Sequence, residues 1–174
     1  DAAASWEASN GARTWRFELA KGVEFHNGKE FTSSDAVDSL NFHRKENSPS
    51  AAKPLLEDIE DIRADGKHAL IVEAKSGNAD LPYLLSDYHL VIQPGGGIDD
   101  PNAAIGTGPY VVSSAEAGVR YVFTKNPNDW DANRGHYDSV EILVINDATA
   151  RQAALQSGQV HMINRVDPKT AKLL

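Results

Sequence analysis

Residues 5–19 constrain the fold most strongly, because they combine a tight turn signal with strict alternation of apolar and polar side chains. Asn10-Gly11 is the strongest short turn signal, since both residue types tolerate positive φ. On its C-terminal side, Trp15, Phe17 and Leu19 fall on one face of a strand. The pattern predicts a β-hairpin with one apolar face.

A capped helix is predicted after the hairpin. Thr32-Ser33-Ser34-Asp35 has the form of a capping box, in which the Thr32 hydroxyl accepts an amide hydrogen and the Asp35 carboxylate reaches back to the cap. Apolar residues then recur at helical spacing up to about Asn47. Ser48-Pro49-Ser50 ends the pattern.

The second half alternates further strands with one clear helix. Gly106-Thr107-Gly108-Pro109 predicts a compact turn before a strand. Both faces of residues 140–145 are apolar, which is typical of a strand covered on both sides. Asp147 and Gly158 have the residue types of a helix cap and a C′ glycine. Shorter patterns predict a helix at 79–86 and strands at 90–92, 119–123 and 160–163. We therefore expect an α/β chain of mixed α+β type, with mixed sheets and flanking helices.

Composition and charge exclude several classes of function. The chain has 17 Lys and Arg against 25 Asp and Glu, a net charge of −8, so nucleic acid is not an expected partner. No apolar run approaches the roughly 20 residues that span a bilayer. With no cysteine, the chain has no disulfide, thiolate metal site or cysteine nucleophile.

Two segments bear on domain organisation. Pro94-Gly95-Gly96-Gly97, followed by acidic residues and a proline, predicts a flexible linker and an internal boundary. Asp167-Pro168 predicts the start of a helix, yet the chain ends at Leu174, within two turns. Because so short a terminal helix is marginal by itself, we expect a fragment of a larger protein.

Motifs for catalysis or metal binding are scarce. No G-x-S-x-G elbow nominates a serine, and Gly95-Gly96-Gly97 lacks the G-K-[ST] of a phosphate loop. The histidines lack chelating spacing and are expected at the surface or half-buried: His26, His43, His68, His89, His136 and His161. This profile favours binding over catalysis.

Four segments in order resemble one family. Residues 15–37 read WRFELAKGVEFHNGKEFTSSDAV, residues 106–110 GTGPY, residues 125–130 KNPNDW, and residues 147–160 begin DATAR and end ALQSGQV. Together they resemble the family 5 extracellular solute-binding proteins of ABC transporters, which comprise the oligopeptide, dipeptide and nickel-binding group. Asp129 departs from the pattern, since an aromatic residue is common there.

The resemblance implies a periplasmic-binding-protein-like fold with two lobes that close on a ligand. Residues 1–104 would form the small subdomain of the N-terminal lobe. Residues 105–174 would belong to the main domain of that lobe, truncated at the C-terminal end. The opposite lobe would be absent from this chain.

The resemblance also places ligand contacts on two segments. The stretch after the SGQV motif would lie at the lobe edge, which nominates Met162, Ile163, Asn164 and Arg165. For Met162 and Ile163 the alternative is strand core. A second contact would come from the segment after the first helix, where Ser50 stands at a position that is commonly aromatic.

The implied function is capture of peptide-like solutes outside the cytoplasmic membrane and delivery to ABC permease subunits. No cofactor is implied, and the protein would be periplasmic, or extracellular and membrane-anchored. The ligand stays open among peptides, nickel complexes, oligosaccharides and opines. The alternatives are a hydrolase whose catalytic residues lie outside this chain and a ligand-sensing module of a regulator.

Overall fold

The computed structural model describes residues 2–97, 100, 102–166 and 171. These residues form two compact units. Unit 1 comprises residues 1–111 and 125–138, and unit 2 comprises residues 112–124 and 139–174. The assignment of residues 1–104 and 105–174 to two domains of a larger lobe stays a prediction.

Unit 1 is built on a four-stranded sheet in the order β1-β2-β4-β3, whose pairings are all antiparallel. Its strands are β1 Ala3–Ser9, β2 Thr14–Leu19, β3 Ile59–Ala64 and β4 Ala69–Ala74. The predicted hairpin is confirmed: Ser9 pairs with Thr14, and Asn10 and Gly11 turn the chain with φ of +52° and +65°.

The core of unit 1 lies on the face of β2 that the alternation predicted. Trp15, Phe17 and Leu19 are buried there and pack with residues from β4 and from the loop after β2. In that loop, Phe25 and Phe31 meet edge to face with ring centroids 5.8 Å apart, a favourable aromatic geometry. The sheet therefore has one dry face, as period-two patterning requires.

Helix α1, Ser33–Arg44, begins at the predicted capping box. The Thr32 amide and hydroxyl donate to Asp35 Oδ2 at 3.0 and 2.8 Å. Asp35 is 1% exposed, and its Oδ1 accepts from the Gly95 amide at 2.8 Å and pairs with Lys29. Burial by itself would raise the pKa of Asp35, but the hydrogen bonds from Gly95, Lys29 and Thr32 hold it below its ordinary value.

The prediction of a flexible linker at Pro94–Gly97 is wrong. These residues form a tight turn against α1 in which the glycines have positive φ, and Gly96 and Gly97 are buried. A Cβ on Gly96 would stand 2.8 Å from the carbonyl carbon of Asp38, and φ is +72°. Glycine allows both the positive φ and the close approach to α1 at this place. In sequence, such a packed run of glycines has the same pattern as a flexible linker.

Other elements of unit 1 differ from prediction in type or length. Helix α2 is Leu81–Leu85, shorter than the predicted 79–86, and a 3-10 helix covers Lys53–Leu56. Residues 90–92 do not form a strand, although Leu90 is buried in the core. An apolar run of three residues can be buried in a loop as well as in a strand, so periodicity could not decide between them.

Unit 2 contains most of a three-stranded sheet, β5 Tyr110–Glu116, β6 Arg120–Lys125 and β7 Ser139–Leu143, and helix α3, Ala148–Gln156. Two antiparallel sheets with helices confirm the predicted mixed α+β class, whereas the strand pairings among the described residues are antiparallel and not of the mixed kind expected. The expectation that residues 140–145 are covered on both sides is wrong for this chain, because Ile142 is 50% and Val144 is 37% exposed. Whether both faces of a strand are covered depends on elements that are distant in sequence, so the strand's own pattern cannot predict it.

The end of the chain corrects one prediction and leaves another open. Residues 160–163 do not form a strand; the Val160 amide donates instead to the Ala154 carbonyl at 3.2 Å. The helix predicted from Asp167 lies outside the described residues.

Candidate functional site

In unit 2, the segment that follows α3 turns back along the helix. Asp147 caps α3, and its Oδ1 accepts a hydrogen bond from the Ala150 amide at 2.7 Å. At the other end Gly158 has φ of +75°, as the C′ prediction expects, and reverses the chain. Residues 163–166 consequently lie beside the first turns of α3.

A cavity of about 90 Å³ lies between α3 and this segment. Its polar side chains are rich in hydrogen-bond donors, because they include two guanidinium groups, two amides and a hydroxyl. Guanidinium groups have no acceptor and match carboxylates in a planar, two-point geometry. The cavity therefore suits carboxylate and carbonyl oxygens. Its lining residues are Ala148, Thr149, Arg151, Gln152, Ile163, Asn164, Arg165 and Val166.

The two arginines of the cavity differ in their contacts. Arg151 Nη1 donates to the carbonyls of Ile145 and Asn146 at 2.7 and 3.0 Å, so it holds the start of α3. Arg165 is exposed, and its guanidinium has no hydrogen bond or ion pair to another residue in the described part of the chain. Its backbone has φ of +52°, a conformation that residues with a Cβ rarely adopt.

The four predicted contact residues of this segment are adjacent and mostly open to solvent. Met162 is 85% exposed, Asn164 and Arg165 are exposed, and Ile163 is half-buried. The alternative of strand core is therefore wrong for Met162. That these residues contact a ligand stays a prediction.

Ser50, the fifth predicted contact residue, lies in unit 1 and is half-buried. Its Oγ is 2.5 Å from Nδ1 of His43 and accepts from the Ala52 amide at 3.1 Å. Its hydroxyl is thus engaged in the segment's own structure. Its contact with a ligand also stays a prediction.

His26, expected at the surface or half-buried, is half-buried and joins two of the sequence motifs. Its Nδ1 accepts from the Gly106 amide at 3.2 Å, and its Nε2 lies 3.0 Å from the Gly108 carbonyl oxygen. Its own amide donates to the Gly106 carbonyl at 2.9 Å. The 15–37 motif and the GTGPY turn are therefore hydrogen-bonded to each other through His26. The expectation of a surface or half-buried position is wrong for His43, which is buried at 8% exposure.

The KNPNDW motif closes on the same turn through a residue that the sequence did not indicate, Arg134. Its guanidinium donates to both carboxylate oxygens of Asp129, at 2.9 and 2.7 Å, and to the Thr107 carbonyl at 3.1 Å. It also lies 4.7 Å above the ring of Trp130. Burial alone would raise the pKa of Asp129, but the bonds from Arg134 hold it below its ordinary value. The available signal in the sequence is Asp129, a carboxylate at a position that is commonly aromatic, because such a charge requires a partner if the position is buried.

Metal clusters and membrane-spanning helices are both absent from the described residues. Among the described residues, no three histidine or acidic side chains are placed to hold a metal ion. No helix within the same residues is long and apolar enough to cross a membrane.

Comparison with known proteins identifies the family. The family model described as "Bacterial extracellular solute-binding proteins, family 5 Middle" matches residues 1–174. The chain belongs to this family. The resemblance predicted from the four motifs is therefore confirmed.

The curated relatives are longer than this chain and are named for different functions. The nickel-binding periplasmic protein of Escherichia coli is 28% identical over 92% of this chain, which spans 32% of that protein. The oligopeptide-binding protein AppA of Bacillus subtilis is 26% identical over 94% of this chain, which again spans 32% of that protein. The HTH-type transcriptional regulator SgrR of Pectobacterium atrosepticum is 32% identical over 76% of this chain, and the match covers 23% of that protein. The chain thus spans about a third or less of these relatives.

Solved structures have the same fold. The binding protein AgaA of A. tumefaciens R10, in complex with agropinic acid, superposes with a TM-score of 0.84 at 25% identity, over 92% of this chain and 33% of that one. AppA of Bacillus subtilis, in complex with a nonapeptide, superposes with a TM-score of 0.79 at 22% identity, over 92% of this chain and 34% of that one. The second likeness shows the fold alone.

Proposed function

We propose that this chain is part of one lobe of the substrate-binding component of an ABC importer. The protein would capture peptide-like solutes outside the cytoplasmic membrane, in the periplasm or anchored at the cell surface, and deliver them to permease subunits. The observation that carries the proposal is the family match over all 174 residues.

The proposed lobe consists of residues 1–104 as its small subdomain and residues 105–174 as part of its main domain. Three of the motifs are joined by hydrogen bonds through His26 and Arg134.

Arg165 is the side chain we assign to ligand contact most directly, together with its neighbours Met162, Ile163 and Asn164. Donor-rich surroundings suit the carbonyls and terminal carboxylate of a peptide. Extended peptides are held mainly through backbone hydrogen bonds, so a donor-rich lobe edge binds many sequences. Ser50 would add a contact from the small subdomain.

The proposed mechanism of solute capture is closure of the two lobes on the ligand. A ligand that contacts both lobes stabilises the closed form by its difference in affinity between the open and closed states. Contacts from one lobe alone contribute only part of that free energy. We therefore expect the isolated 174-residue chain to bind solute far more weakly than a two-lobed protein.

The test is a comparison of Arg165→Ala with Arg120→Ala in the full-length gene product that carries this chain. Arg120 is a matched control, because it is an exposed arginine of the same unit whose guanidinium pairs with Glu141. Calorimetry with defined tetrapeptides should show at least a tenfold loss of affinity for R165A, since a hydrogen bond to a charged group is worth about 1.5–3 kcal/mol. R120A should bind like the parent.

Three results would count against the proposal at different levels. Equal affinities of R165A and R120A would remove Arg165 from the site. Binding of a nickel–histidine complex or an opine, with no binding of tetrapeptides, would exclude peptides but retain solute capture. Chemical conversion of the bound solute would reject the binding function and favour the hydrolase alternative.

A ligand-sensing module is the second candidate, and one observation favours it. The regulator SgrR is the relative at 32% identity over 139 residues. A DNA-binding segment in the same gene product, together with solute-dependent DNA binding, would support this reading over transport.

A further inference from the structure

Strand β1 forms one open edge of the four-stranded sheet of unit 1. It stands first in the order β1-β2-β4-β3, so among the described residues only β2 pairs with it. All of its residues from Ala4 to Ser9 are exposed. The edge of a sheet presents unpaired amide and carbonyl groups, to which a strand of another chain can add.

The opposite edge strand, β3, is better protected against such pairing. Three of its six residues are charged, whereas Glu7 is the single charged residue among the seven of β1. Arg44 also donates to the carbonyls of Ile59 and Glu60 at 2.9 and 2.8 Å, which engages two acceptors of β3. Charged side chains and covered backbone groups are the usual protection of an edge. Of the two edges, β1 is therefore the one that suits a further strand.

The hydrogen bonds of β2 show which backbone groups of β1 point outwards. The Leu19 amide donates to the His68 carbonyl at 2.8 Å, so the odd-numbered residues of β2 bond towards β4. Directions alternate along an antiparallel strand, so the even-numbered residues of β2 bond towards β1. Glu7 is opposite one of these even-numbered residues and therefore bonds to β2. The amides and carbonyls of Trp6 and Ala8 consequently point away from the sheet.

The side chains of the outward-pointing residues lie on the dry face of the sheet. Trp6 is opposite Phe17 in the register, so the two side chains share that face. A largely apolar cavity of about 200 Å³ is lined there by Ala3, Trp6, Phe17 and Leu40, among others. Trp6 itself is 49% exposed. A strand added to β1 would continue the dry face and would bury more of this apolar surface.

We propose that two copies of this protein pair through β1 in antiparallel orientation, with Trp6 on the two-fold axis, and so join their four-stranded sheets into one. In this register residues 3–9 of one copy run against residues 9–3 of its partner. The two Trp6 residues form a hydrogen-bonded pair, and aromatic pairs directly opposite each other stabilise a sheet. Glu7 lies opposite Ser5 of its partner, whose hydroxyl can donate to the carboxylate.

Charge and length favour this register over its neighbours. With the axis at Glu7, the two Glu7 carboxylates would be directly opposite each other, and like charges in that position are destabilising. With the axis at Ser5, only residues 3–7 would pair and the outward groups of Ala8 would stay free. A register between these would set the dry face of one copy beside the exposed face of the other.

The test measures the mass of the full-length gene product in solution by light scattering over a range of concentrations. The parent should show a monomer–dimer equilibrium. Trp6→Lys sets two like charges opposite each other at the axis and should stay monomeric. Ala64→Lys is the matched control, because it adds the same charge to an exposed alanine of β3, and it should associate like the parent.

Substitutions of Ser5 test the register. Ser5→Lys faces Glu7 of the partner in two symmetric pairs, so the dimer dissociation constant should fall about 2- to 30-fold, and Ser5→Glu should raise it by a similar factor. Both variants also face Glu18 within one copy, so thermal unfolding of the monomer is measured separately.

Three results would overturn the proposal. The first is a parent that stays monomeric at every concentration, as it would if hydrogen exchange showed another part of the gene product protecting the Trp6 and Ala8 amides. The second is equal association of W6K and A64K, and the third is a shift of S5K and S5E in the same direction. If W6K does not fold, S5E carries the test, since Ser5 is exposed and does not line the cavity. None of these results bears on solute capture, because tetrapeptide binding is measured separately.

Discussion

Adding one methyl group at Gly96 tests whether the glycine segment is packed against α1. Gly95 and Gly96 both have positive φ, +57° and +72°, so an alanine at either position is strained by about 1–2 kcal/mol. Only at Gly96 does the new Cβ meet other atoms: the carbonyl carbon and oxygen of Asp38 at 2.8 and 2.9 Å. At Gly95 nothing lies within 4 Å.

The two variants therefore differ by the contact with α1 alone. Forcing a methyl group into a packed site costs about 1–3 kcal/mol, so Gly96→Ala should lose about 2–5 kcal/mol of unfolding free energy and Gly95→Ala about 1–2. Backbone atoms of a helix cannot move aside as a flexible side chain can, which makes relaxation difficult.

Urea denaturation followed by tryptophan fluorescence measures the difference. With a slope near 2 kcal/mol per molar, the midpoint of G96A should lie about 0.5–1.5 M below that of G95A. Equal midpoints would refute the reasoning and would restore the linker interpretation of residues 94–97. A lower midpoint for G95A than for G96A would show that strain, not contact, dominates at this turn.

Two further predictions concern the buried carboxylates of unit 1. Asp35→Asn should lose about 2 kcal/mol at pH 7, because one of two acceptor oxygens becomes a donor that faces amide hydrogens. The pKa of Asp35 is lowered in the folded protein, so this stability is present above its ordinary value of 3.8 and is lost as pH falls through the folded value; urea midpoints at pH 7 and pH 3 measure both parts. Arg134→Ala should lose about 3 kcal/mol in the same assay, because the carboxylate of Asp129, whose side chain is 8% exposed, is left without its cation.

Each of these has a result that contradicts it. A D35N deficit as large at pH 3 as at pH 7 would mean that the charge of Asp35 contributes nothing. For R134A the matched control is Arg120→Ala, whose exposed pair with Glu141 should be worth less than about 1 kcal/mol. Similar losses in the two arginine variants would remove the special role of the Asp129 pair.

Features that depend on neighbours in sequence were predictable. Asn10-Gly11 and the alternation of Trp15 and Phe17 fixed a hairpin and its buried face, because turn geometry and strand period are local properties. The Thr32 capping box likewise placed the start of α1. The order of four motifs was sufficient to indicate the family.

Contacts between distant residues were decided by tertiary structure alone. The pattern of Gly95-Gly96-Gly97 is the same in a linker and in a packed turn. Contacts with α1 distinguish them: the Gly95 amide donates to Asp35, 60 residues away, and Gly96 packs against Asp38. His26 finds its partners 80 and 82 residues along the chain, and Arg134 has no motif of its own. A sequence specifies which groups are available, but burial and pairing energies arise only when the fold brings those groups together.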